Sequence, residues 1–116
     1  MNIEDLRNFC LSQPGTTEGF PFGEQTLVFK VAGKVYLLTP LDTVQVQFNA
    51  KCDPLKAQEL REQYDCVLPG YHMNKKHWNT VKVDGSVSDE ELKSWIKASY
   101  DLVVASLPAK VRTELT

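Results

Sequence analysis

The feature that most restricts what this chain can become is a change of hydrophobic period. Leu27, Phe29 and Val31 alternate with Val28 and Lys30, Ala32-Gly33 can turn the chain into Val35 to Leu38, and Val44-Gln45-Val46-Gln47-Phe48-Asn49 alternates again. Period two buries one face of a strand and wets the other, whereas the segments on either side repeat at helical spacing. With 116 residues, 42% of them apolar, the chain is long enough to close one core without metals or disulfides. These observations predict a single α+β domain over 1–116. An antiparallel β-meander sheet is covered on one face by helices, in the order α-β-β-β-(β)-α-β-α, and its other face is partly open.

Helix boundaries are written locally. Asn2 can cap a helix whose inner face is Ile3, Leu6, Phe9 and Cys10, and Pro14-Gly15 stops it. Thr16 to Gly23 reads as a short edge strand with loose ends, carrying Phe20 and Phe22. Asp53-Pro54 opens a second helix through Tyr64, since Pro at the first helical position gives up an N–H that has no partner anyway. Pro69-Gly70 breaks the chain and Trp78 to Val83 resumes strand alternation. Ser88 and Glu91 form a capping box with a Val87–Leu92 staple, and Leu92, Trp95, Ile96, Ser99, Val103 and Leu107 trace the buried stripe of the last long helix. Pro108 ends it or starts a short terminal helix through Val111 and Leu115.

Several classes of protein fall away. No stretch approaches the roughly 18 apolar residues of a membrane span, and residues 2–7 lack the basic and apolar regions of a secretory leader, so a cytoplasmic protein is expected. Cys10, Cys52 and Cys66 form an odd set without a C-x-x-C pair, which predicts three thiols. No phosphate-binding loop, dinucleotide fingerprint or nucleophile elbow is present, so no enzyme activity and no cofactor are expected. The net charge of −2 excludes a general basic field, and any polyanion binding must be local.

Such a local field has one candidate. Between Asp65 and Asp84 lie eighteen residues holding Lys75, Lys76, Lys82, His72 and His77 and no acid. Within them Tyr71, His72, Asn74, Lys75, Lys76, His77, Trp78 and Asn79 combine cations, amide donors and aromatic rings, the groups that neutralise phosphates and stack on bases. Lys30, Lys34 and Lys51 join the same surface if strands and helices lie on opposite sides. Plainer explanations stand beside each: Trp78 as half-buried sheet, Asn74 as a residue tolerating a left-handed turn, Lys75-Lys76 as a solvated loop tip, Cys66 as a small buried residue. His72 and His77 are five apart with no partner ligands, so no metal site is assigned.

Pro21-Phe22-Gly23, Val28-Phe29-Lys30-Val31-Ala32-Gly33-Lys34, Lys51-Cys52-Asp53-Pro54 and, above all, the block from Pro69 to Val81 resemble the MmcQ/YjbR family over nearly the whole chain. The resemblance implies a CyaY-like, frataxin-type α+β fold and a double-wing arrangement suggestive of DNA binding; no reaction, cofactor or catalytic residue comes with it.

Three functional readings follow. The first is a non-enzymatic DNA-binding module, weak and salt-sensitive, favoured as a monomer, with wings at Ala32-Gly33 and Asn74 to His77. The second is a binding protein for a small anion or a protein partner through Gly70 to Thr80, using His72, Lys75, His77 and Asn79. The third borrows iron handling from the fold, with Glu4, Asp5, Glu90 and Glu91 as weak oxygen ligands; first-turn dipole complementarity explains those acids better, and fold similarity alone does not carry function.

Overall fold

Three of the expected caps close as hydrogen bonds and fix where helices begin. In the computed structural model, which describes residues 1–70 and 73–115, Asn2 accepts from Asp5 N while the Asp5 carboxylate accepts from Asn2 N, opening α1 (Ile3–Ser12). Asp53 accepts from Lys56 N at the start of α2 (Pro54–Gln63). Ser88 accepts from Glu91 N at the start of α3 (Asp89–Ala105), and Val87 and Leu92 are both buried in the core. After Pro108 comes α4 (Ala109–Glu114).

The strands are β1 (Thr16–Gly19), β2 (Thr26–Val31), β3 (Lys34–Pro40), β4 (Gln47–Lys51), β5 (Val67–Pro69) and β6 (Trp78–Lys82). They form one antiparallel sheet in the order β1-β2-β3-β4-β6-β5, a meander of four strands to which the β5–β6 hairpin is added with β6 inside. One face carries Leu27, Phe29, Leu37, Phe48, Ala50 and Val81 into a core closed by Leu6 and Cys10 of α1, Leu60 of α2, and Trp95, Ile96 and Val103 of α3. The α+β layout with helices on one sheet face is the expected one.

Three expectations about strands are corrected. The alternation from Val44 does not start a strand there: β4 begins at Gln47, and Val44 is fully exposed in the turn after β3. Alternation describes a strand only where a neighbour pairs with it, and here contact with β6 begins with Val46 O, which accepts from Val83 N at 2.9 Å, and the ladder proper with Gln47 opposite Lys82. Second, β5 is an additional strand; three residues ending in Pro give no periodicity to read. Val28, expected on a wet face, is buried, because the segment from Gly19 to Pro21 borders that side of the sheet.

The sheet is irregular where β2 meets β3, and the next ladder is short. Phe29 pairs with Leu37 and Lys30 with Val35, so Tyr36 is an extra, bulged residue. Its ring is fully buried and its hydroxyl lies 3.0 Å from Thr16 Oγ1 and donates to Cys10 O at 3.1 Å. The β3–β4 ladder holds only Leu37–Ala50 and Leu38–Asn49. Beyond it the Ser99 hydroxyl of α3 accepts from Lys51 N at 2.7 Å and donates to Tyr36 O at 2.5 Å. A polar residue on the apolar stripe of α3 thus bridges a part-buried N–H and a buried carbonyl, the second of which would cost about 1–3 kcal/mol unpaired.

Candidate functional site

Antiparallel connectivity decides which parts of the chain meet at the ends of the sheet. β2 ends at Val31, β3 starts at Lys34, β4 ends at Lys51, β5 ends at Pro69 and β6 starts at Trp78, and the registers align these residues at one end. That end, here the hairpin end, therefore carries both the Ala32-Gly33 turn and the loop leading into β6. The two segments lie three strand positions apart, about 14 Å at ~4.8 Å per strand.

Of the residues singled out from the sequence, Lys34, Lys75 and Lys76 are exposed at the hairpin end, and Lys30, Lys51, His77 and Trp78 are half-buried there. Lys51 also borders a small crevice beneath α2 and α3. Lys82 does not join them: it pairs with Gln47 at the other end of β4–β6, four residues from Trp78 and so about 13 Å away. Tyr71 and His72 lie outside the described residues. Asn79 is 2% exposed and faces α2; its Oδ1 accepts from Arg61 Nε at 2.7 Å and its Nδ2 donates to Ala57 O at 3.3 Å. Asn79 is consequently a fixture of the fold, with neither end of its amide open to a ligand.

Arg61 shapes the loop and gave no sign of it in the sequence. It lies one helical turn after the buried Ala57 on α2, at the margin of the inner face, and besides Asn79 it also donates to the Lys75 carbonyl. Asn74 completes the turn without adopting a left-handed conformation: its Oδ1 accepts from Lys76 N at 3.0 Å, and its carbonyl accepts from His77 N and Trp78 N. Cys52 N donates to His77 O at 2.6 Å, tying the loop to β4. Gly70 sits so close to Trp78 that an added Cβ would lie 2.9 Å from both its Cβ and its carbonyl oxygen. The result is a pinned backbone from which Lys75 and Lys76 project beside Leu55 and Gln58 of α2.

The opposite end of the sheet has the opposite charge. Glu24 precedes β2, Asp42 follows β3, Asp65 precedes β5 and Asp84 follows β6; Asp89, Glu90 and Glu91 open α3, and the amino-terminal ammonium reaches Asp89 at 2.9 Å, bringing Glu4 and Asp5 of α1 to the same end. Although Lys82 lies at this end and Asp53 at the other, a chain of net charge −2 is therefore polarised along its strands.

Among the described residues no three His, Cys, Asp or Glu side chains group as metal ligands, and no helix is long and apolar enough to cross a membrane. Cys10 is fully buried and burial pushes its thiol up to about 12, while burial and then the Asp53 carboxylate raise that of Cys52. Neither is an activated thiolate.

A second concavity opens on the sheet face away from the helices. Its volume is about 500 Å³, and it lies between Phe22, Leu38, Gln47, Asn49 and Met73.

Comparison with known proteins places this architecture. A YjbR family profile matches residues 11–102. The chain is 36% identical over 104 residues to the uncharacterized protein YbdF of Escherichia coli O157:H7, covering 90% of this chain and 85% of that one. It is 30% identical over 112 residues to the uncharacterized protein YjbR of E. coli K12, covering 97% and 95%. The crystal structure of Deinococcus radiodurans protein DR2400, a DUF419 domain, superposes with a TM-score of 0.93 at 39% identity, covering 98% of this chain and 87% of that one.

Proposed function

We propose that this chain, which belongs to the YjbR family, is a non-enzymatic nucleic-acid-binding module that engages the phosphate backbone with its hairpin end. The observation that carries the reading is the meeting of two turns and their cations at one end of the sheet. Lys34 beside one turn and Lys75 and Lys76 on the other are exposed, with Lys30, Lys51 and His77 beside them; Asp53 also lies at this end, while Glu24, Asp42, Asp65 and Asp84 border the far one. Two turns about 14 Å apart, each with lysines beside it, present cations to a phosphate backbone at two points. Polarisation orients the molecule during encounter although its net charge is negative.

A handful of phosphate contacts gives a salt slope of about −3 to −5 and affinities in the non-specific range. Fluorescence anisotropy with short labelled oligonucleotides at low salt tests the reading. Saturable binding is expected, and replacing Lys75 and Lys76 together with Ala lowers the salt slope by about two. No saturation below about 100 μM, where non-specific binders already respond, overturns it.

A further inference from the structure

The hairpin-end interface makes no use of the groove on the open face of the sheet, although two segments singled out from the sequence, Pro21-Phe22-Gly23 and the loop carrying Met73, meet there. We infer that this groove seats one unpaired nucleobase, so that the nucleic acid taken by the hairpin end is single-stranded. The inference rests on the reading of that end as a phosphate-binding surface.

The chemistry of the groove selects its occupant. Phe22 is 67% exposed, a bare ring beside an apolar floor at Leu38, and offers a face for stacking. Met73 adds a polarisable thioether. Thr80 Oγ1 donates to Asn49 Oδ1, which leaves the Asn49 amide nitrogen as a donor, and among the described residues the Gln47 amide has no hydrogen-bond partner. A lipid chain would strand these amides, and a phosphate would meet no cation among the groove's described lining residues. A flat heterocycle with donors and acceptors along one edge satisfies both the ring and the amides, and that is the description of a base.

Position agrees with chemistry. Asn49 is two residues before Lys51 on β4, and Val28, the partner of Leu38, is two residues before Lys30 on β2. A base over Leu38 and Asn49 therefore lies about 7 Å from the lysine row, close to the separation of a base from its own phosphate. Met73 is two residues from Lys75, so one loop serves both. Paired bases are hidden in their stack, which excludes a duplex from this groove.

The test compares a single-stranded DNA dodecamer carrying 2-aminopurine with its duplex, for the wild-type chain, Phe22→Ala, Gln47→Ala and the Lys75→Ala/Lys76→Ala variant. Tighter single-strand binding with a change in 2-aminopurine emission is expected. Phe22→Ala should weaken single-strand binding about fivefold to a hundredfold, as loss of a stacking platform does, and leave duplex binding within about twofold. Exposure of Phe22 keeps the fold out of the comparison, and an unchanged thermal midpoint verifies it. Equal affinity for both forms, or no effect of Phe22→Ala and Gln47→Ala, overturns the base groove; if the double-lysine variant still weakens both forms, the phosphate-binding reading stands alone. Absence of binding to either form overturns both.

Discussion

The two ends of the sheet differ in what anchors their turns. At the far end, Asp84 Oδ1 accepts from Ser86 N and Oγ in an exposed turn of local contacts, and Val44 hangs in solvent. At the hairpin end the loop into β6 is fastened to α2 by Arg61, to β4 through Cys52 and to its own strand at Gly70, and the Ser99 hydroxyl of α3 bridges the strands behind it. Glu24, Asp42, Asp65 and Asp84 border the first end, with Lys82, and Lys34, Lys51, Lys75 and Lys76 the second, with Asp53. Side chains that solubilise need no fixed geometry, whereas side chains that meet a patterned ligand gain from a backbone whose ordering is already complete.

This contrast can be broken most directly at Arg61. Arg61→Ala removes two charge-assisted hydrogen bonds and leaves the buried Asn79 oxygen unpaired, so a loss of about 3 kcal/mol in urea denaturation is expected, with faster amide exchange at Lys76 to Trp78. Asp84→Ala at the exposed far turn should cost under about 1 kcal/mol by the same measurement. Next in size is Gly70→Ala, whose new methyl overlaps Trp78; about 2 kcal/mol is expected, because the atoms met include backbone. Charge at the two ends should also act unequally: Lys75→Ala/Lys76→Ala lowers oligonucleotide affinity about tenfold at low salt, while Glu90→Lys/Glu91→Lys raises it less than about threefold, through long-range attraction alone. The smallest effect is at the other turn. Ala32 holds φ +50°, a left-handed conformation that costs an alanine about 1 kcal/mol, so Ala32→Asn should gain about 0.5–1 kcal/mol and leave binding unchanged.

Much of the fold was legible because its signals are local. Asn2, Asp53-Pro54 and Ser88 fix helix starts within one turn of themselves, and the alternation at Leu27, Phe29 and Val31 needs no partner to be recognised. Tertiary facts were not legible. The overlong strand at Val44 and the additional β5 both turn on which neighbour pairs where, and the bulge at Tyr36 shows only in the register between β2 and β3. For the site, the acid-free window pointed to the loop, and its convergence with Lys30, Lys34 and Lys51 depended on strand order. Lys82 and Asn79 show the limit: period two placed Lys82 on a face but not at an end, and the polarity of Asn79 said nothing of the arginine that occupies it. Arg61 itself looks like any helix cation until its partners are seen.

The Ser99 bridge has a consequence for observing this molecule in solution. The Lys51 amide proton is held by a helix rather than by the neighbouring strand, so its exchange reports whether α3 is seated, independently of the ladder on either side. One backbone resonance thereby becomes a gauge of helix docking, placed directly behind the lysines on which the binding surface depends.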